Sequence, residues 1–274
     1  MRQTDNGYSR QDLVDSALEA GHPATPRLVT DWVRRGLLDE ATPVGRGRAQ
    51  GVQRIWPESQ RRLFLILLKR RAQLPGKSLA PLYNIPVGVW LFWGEAHVRL
   101  AQVRRAMESW ATAIKQRGWS SAGETARLSV DQIERSGATR EAKDWLFEVV
   151  AGTLHFGDFD AAEFRDALSL VFDAADEGRV EGPEGARLSV DALTDLHAAR
   201  YRALASLSRI PDDVYEVARS RYQQSIQEYT VRQPVFGADR EIGELFQPRD
   251  LQSYLESTCL DLLTLLGLGD KPDE

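Results

Sequence analysis

From Ser9 the apolar positions Leu13, Val14 and Leu18 recur near helical spacing in SRQDLVDSALEAG, with Ser9 where an N-cap belongs and Gly21 as a stop. After the turn GHPAT, Thr25 caps a second predicted helix, with Pro26 at its first position and a buried stripe of Leu28, Val29, Trp32, Val33 and Leu37. Two short helices joined by a glycine-containing turn predict a helix-turn-helix. Its second helix then turns Arg27, Thr30, Asp31 and Arg34 outward, and Gly36 ends it so that Leu37 and Leu38 fold back into the core.

The period changes at 42–57. TPVGRGRAQGVQRIWP combines three glycines with the β-formers Val44, Val52 and Ile55, which predicts a two-stranded ribbon with its tip near Ala49 to Gly51. Arg46, Arg48 and Arg54 ride on it as on a wing. PESQRRLFLILLKRR then predicts a helix begun at Pro57 and buried through Leu63, Phe64, Ile66 and Leu67. AQLPGKSLAPLYNIP, with three prolines, predicts a linker or loop.

Beyond the linker the period is helical almost throughout: Pro86 to about Arg117, Ser129 to Arg135, Thr139 to Thr153, Asp160 to Glu177, Ser189 to Leu207, Pro211 to Tyr229 and Pro248 to Leu266. No βαβ alternation occurs, so the expected class is mostly α: a winged helix-turn-helix with a two-stranded wing, then an all-α domain. The expected organisation is a DNA-binding domain over 1–75, a linker over 76–86, an effector or oligomerisation domain over 87–268 and a tail over 269–274. ARLSVD occurs at 126–131 and again at 186–191, each time leading into a serine-capped helix, but the sequence diverges at once and no repeat array follows.

Charge sharpens this division. The chain carries a net −5, yet residues 1–75 hold 13 Lys and Arg against 8 Asp and Glu, while 76–274 hold 22 against 32. Within 41–75, eight basic residues face Glu58 alone. A basic segment on an acidic chain is the footprint expected for a polyanion, because phosphate contacts supply the sequence-independent part of nucleic-acid affinity; a solvated basic face is the alternative.

With these features in order, residues 8–72 resemble the DNA-binding domain of the MerR superfamily. Trp32, Arg34, Gly36, Leu37 and Leu38 stand where that family ends its second helix in an aromatic, charged residues and Gly-Leu-Leu, and Arg54 and Trp56 stand where its wing closes. The resemblance implies a winged helix-turn-helix that binds double-stranded DNA, with Tyr8 matching an aromatic before the first helix. Thr30 and Asp31 depart from it, since the family places an arginine and an aromatic there, and no long a/d heptad helix for dimerisation is evident. Aspartate at a groove-facing position accepts from cytosine N4 or orients an arginine, and repels phosphate.

Other chemistry has little sequence support. DAADEGRVEGPE at 173–184 places Asp173, Gly178, Val180 and Glu184 at EF-hand positions, but Ala175 removes a ligand and Pro183 stiffens the loop. His22, His97, His155 and His197 lie far apart, and one cysteine, Cys259, makes neither a disulfide framework nor a cysteine metal site. The aromatics around Trp90, Phe92 and Trp93, with Trp110, Trp119 and Trp145, fit a core better than an effector pocket. No phosphate-cradling, nucleophile-elbow or HExxH motif is present, so no enzyme, cofactor or metal is expected. No apolar run approaches the ~18 residues of a membrane span, and the N-terminus lacks a signal pattern.

The expectation is a cytoplasmic DNA-binding transcriptional regulator, dimeric because most operators are two-fold symmetric, with a small-molecule or protein effector at the helical domain. The alternative is a phage- or plasmid-type accessory factor serving DNA architecture or a protein partner. The site residues are Tyr8, Thr25, Arg27, Thr30, Asp31, Arg34, Arg46, Arg48 and Arg54.

Overall fold

A computed structural model describes residues 7–45, 52–74, 79–115, 138–172, 180–181, 186–187, 189–232 and 249–269. The chain is mostly helical with small antiparallel ribbons, as the periodicity predicts. It divides into two compact units: Met1–Trp110 with Ala238–Cys259, and Ala111–Gly237 with Leu260–Glu274.

The first unit begins with α1 (Arg10–Glu19), α2 (Pro26–Arg34), β1 (Thr42–Gly45), β2 (Val52–Ile55) and α3 (Glu58–Gln73). Ser9 opens α1 with a reciprocal capping box: its hydroxyl accepts from Asp12 N at 3.2 Å, and Asp12 accepts from Ser9 N at 2.7 Å. Gly21, at φ +79°, follows the end of α1, and the His22 amide reaches back to Ala17 O at 2.8 Å. Leu13, Val29, Trp32, Leu37, Leu38, Phe64 and Leu67 are almost wholly buried, each stabilising the unit by roughly 1.5–3 kcal/mol. Trp32 meets Phe64 edge to face at 5.3 Å, which locks α2 onto α3.

Four positions assigned to this core from spacing differ, Leu28 and Val33 of α2 being only half-buried. Leu18 is 56% exposed, because the last turn of α1 borders an open groove also lined by Leu28 and Leu68. Ile66 is only half-buried, and Leu68, two residues on, takes the inward position.

The predicted linker is also corrected. Residues 80–86 belong to α4 (Ala80–Trp93), a helix buried along nearly its whole length. Pro81 sits in its first turn, where a missing N–H costs no helical bond, and Pro86 is carried inside the helix. A buried helix cannot act as a free tether, so the helix-turn-helix is continuous with α4 in one unit, not separated from it over 76–86. The helix expected from Pro86 to Arg117 is broken as well. Gly94, at φ +71°, ends α4, a short 3-10 turn covers Gly94–Ala96, and α5 follows (Leu100–Lys115). Asn84 of α4 is held from far along the chain: its carbonyl accepts from Thr258 Oγ1 at 2.7 Å and its Oδ1 from Cys259 N at 2.9 Å.

The second unit contains α6 (Arg140–Phe156), α7 (Ala161–Ser169), a minimal ribbon of β3 (Val180–Glu181) with β4 (Ala186–Arg187), α8 (Val190–Ser206) and α9 (Asp212–Arg232). The last helix, α10 (Arg249–Gly269), contributes residues to each unit. Leu146, Val150, Phe164 and Leu168 form the α6–α7 core. Helix α7 stops at Ser169, short of the Glu177 expected from periodicity. Of the two ARLSVD copies, the second contains Ser189, which caps α8 by accepting from Ala192 N at 3.0 Å; the first lies outside the described residues, as does the helix expected from Ser129 to Arg135. Gly267 permits close contact with the backbone of α8: a Cβ on the glycine would fall 1.9 Å from the Ala199 carbonyl oxygen. Among the described residues, no helix is long and apolar enough to cross a membrane.

Candidate nucleic-acid interface

Helix α2 is built by its first two residues. Thr25 is extended, its hydroxyl accepts from Leu28 N at 3.2 Å, and Pro26 supplies a pre-set φ where no N–H is needed. Thr25 is exposed, but its Oγ1 is already used as the cap. Val29 and Trp32 bury one face of the helix. The other face carries Arg27, Thr30, Asp31 and Arg34, brought together as the sequence predicts.

Three of these side chains, Arg27, Asp31 and Arg34, form a linked set. Asp31 Oδ1 accepts from Arg34 Nη2 at 3.0 Å, and Asp31 Oδ2 lies 3.9 Å from Arg27 Nε. The guanidiniums project into solvent, with side chains 92% exposed at Arg27 and 73% at Arg34. Thr30 turns inward chemically: its hydroxyl donates to Pro26 O at 3.1 Å.

The ribbon pairs Thr42 with Ile55, Pro43 with Arg54, Val44 with Gln53 and Gly45 with Val52. Arg54 is exposed on β2. Arg46, Arg48 and the tip near Ala49 to Gly51 lie outside the described residues. The base of the ribbon is stitched to the N-terminus, because Tyr8 and Trp56 exchange backbone hydrogen bonds of 2.8 Å in both directions.

Tyr8 is fixed on its side-chain side too. Its ring lies under the Arg61 guanidinium at 5.2 Å, and its hydroxyl donates to Glu58. Glu58 also accepts from Arg61 at 2.6 and 2.7 Å and from Arg62 at 3.0 Å. The Arg61 hydrogen bonds chiefly, then those of Tyr8 and Arg62, hold the Glu58 carboxyl down at about 2, against the opposing effect of burial. The same carboxylate holds the Tyr8 phenol above its ordinary range.

Sequence reasoning missed the brace behind this surface. Asp39, between α2 and the ribbon, is 6% exposed, and it accepts from Arg105 at 3.1 Å and from Arg99. Its carbonyl accepts from Trp56 Nε1 at 2.7 Å, and its amide donates to Gln60 Oε1 at 2.8 Å. Gln60 Nε2 in turn donates to His97 O and Gln102 Oε1, both at 3.0 Å, and Gln102 Nε2 to Leu37 O at 3.1 Å. Polar side chains from α3 and α5 therefore satisfy the buried backbone that joins α2 to the ribbon. The signal available was faint: two glutamines at helix positions that face the core.

The remaining candidates assemble into no site. Asp173, Gly178 and Glu184 lie outside the described residues, while Val180 stands in β3. No group of three or more His, Cys, Asp or Glu that could hold a metal occurs among the described residues. Trp90 and Trp110 are buried, and Trp145 packs against the α6–α7 core; Trp119 lies outside the described residues. Cys259 is buried. No protein-family model, curated protein or solved structure matches the chain.

Proposed function

We propose that the chain is a MerR-like DNA-binding transcriptional regulator of the cytoplasm, acting as a homodimer. Helix α2 enters a major groove and the wing arginines meet the flanking phosphates. The observation that carries this reading is the exposed Arg27–Asp31–Arg34 row, opposite the buried Val29 and Trp32 face of a short capped helix. Exposed Arg54 on an adjoining ribbon adds a second cationic element in the same unit. The charge division supports it further, since the basic excess falls on residues 1–75 of a net acidic chain. The helical second unit is the part available for sensing, oligomerisation or recruitment.

Charge reversal of Arg46 and Arg48 together tests the reading. Affinity for random duplex should collapse, and the slope of log affinity against log salt should flatten by about 2, as for the loss of two phosphate contacts. A double mutant that retains the wild-type affinity and slope overturns it. Capture of genomic fragments at moderate salt would then give the operator, and its half-site spacing the oligomeric state.

A further inference from the structure

Asp31 is the residue of the α2 face that a phosphate-binding surface would not include. A carboxylate between two arginines lowers attraction to every duplex, whatever its sequence, because it cancels charge that would otherwise meet phosphate. Its geometry offers something specific in exchange. Oδ1 takes one donor of Arg34 at 3.0 Å, which fixes a long, otherwise free side chain that is 73% exposed. An arginine held this way keeps its remaining N–H donors, and their planar fork matches the two adjacent acceptors, O6 and N7, on the major-groove edge of guanine. Oδ2 lies 3.9 Å from Arg27, beyond hydrogen-bond reach, and accepts no hydrogen bond among the described residues. That oxygen is free to accept from the exocyclic amine of cytosine. Thr30, the neighbour on this face, competes little, since its hydroxyl proton is committed to Pro26 O.

We infer that Asp31 is a specificity-determining residue: it presents Arg34 to guanine and accepts from cytosine, so that α2 selects duplexes with a G·C pair at the position it faces. This rests on the DNA-binding reading above. Arg34 is the reading side chain, and Asp31 acts both through it and on the paired base. The same carboxylate suppresses retention on unrelated sequence, so selectivity is obtained partly by penalising the wrong duplex.

The test compares the wild-type protein with Asp31→Ala and Arg34→Lys. Binding is measured on a labelled pool of short duplexes with a randomised centre, alongside A·T-only duplexes of equal length. Both positions are solvent-facing, and alanine is the best helix former, so the fold is expected to survive; far-ultraviolet circular dichroism checks it. Wild type should prefer G·C-containing centres by on the order of tenfold. Asp31→Ala should bind A·T-only duplex several-fold more tightly while its preference falls toward unity. Arg34→Lys should keep affinity for A·T-only duplex and lose the preference, because lysine retains the charge without the fork. Wild type that binds all centres alike overturns the inference alone, as does Asp31→Ala with the preference intact. Wild type that retains no duplex of any sequence overturns the DNA-binding reading itself.

Discussion

Gly36 lies against Ala106 so closely that a Cβ on the glycine would fall 2.3 Å from the Ala106 amide nitrogen. The same added atom would stand 2.7 Å from both Arg105 C and Gln102 O, so the turn that ends α2 rests directly on the backbone of α5. Gly36 also has φ +73°, where a side chain is strained even in open space.

Gly36→Ala should therefore destabilise the first unit by about 2–4 kcal/mol, combining left-handed strain with overpacking against backbone that has little room to yield. Urea unfolding followed by tryptophan fluorescence measures it. A variant within experimental error of wild type would show that α5 does not press on the turn.

Asp39→Ala should cost about 1–3 kcal/mol, because it removes a buried carboxylate that pairs with Arg105 and with the half-exposed Arg99, while Arg105 keeps Glu40 at 3.4 Å. The double variant Asp39→Ala with Arg105→Leu should recover part of that loss, because the buried charge is then gone as well. Strict additivity of the two changes would contradict the coupling.

Acid titration should show the contribution of Glu58. Its folded value of about 2 lies below the ordinary 4.5, so its stabilisation is complete above about pH 4.5 and is lost as pH falls toward 2. The side chain is 40% exposed, so solvent screens the effect to a modest size. Unfolding free energies of wild type and Glu58→Gln should differ at neutral pH and converge near pH 2. Parallel curves across that range would rule out the Arg61–Glu58–Tyr8 contact as the cause.

His197 makes the second unit acid-sensitive in a higher window. Burial chiefly, and then Arg200, push the imidazole down to about 3 from an ordinary 6.5, and it packs on Phe164 with ring centroids 4.6 Å apart. The folded state keeps it neutral while the unfolded chain takes up a proton, so stability is full above about pH 6.5 and falls as pH drops toward 3. The steepest slope is about 1.4 kcal/mol per pH unit. His197→Phe should flatten that slope whatever its effect at neutral pH, and a slope unchanged by the substitution would sink the assignment.

Local chemistry made the helix-turn-helix legible. Ser9, Thr25 and Pro26 are signals a helix start carries in its own few residues, and Val29, Trp32, Phe64 and Leu67 repeat with the helical period. The ribbon was legible because glycine punctuates it. Helix α4 was not, because Pro81 and Pro86 are local breakers whose effect is overridden by burial of Leu82, Tyr83, Val87 and Trp90. The brace was hidden for another reason: Asp39, Gln60 and Gln102 are linked by bonds across 21 and 42 positions, and a polar side chain carries no local mark of a distant partner. Within the site, the outward set on α2 was readable, but the Asp31 link to Arg34 and the seating of Tyr8 on Arg61 and Glu58 depend on side-chain geometry.

The clasp on Asn84 fixes an order of assembly. Its partners Thr258 and Cys259 are translated 174 and 175 residues later, so α4 emerges from the ribosome with a polar group destined for the interior and nothing yet to satisfy it. The helix-turn-helix can gather from neighbouring segments as it is made, but the first unit closes only when a segment near the far end of the chain returns to it. Such long loop closure is slow. Newly made protein should therefore pass through an interval in which the amino-terminal helices are formed and α4 is still uncovered.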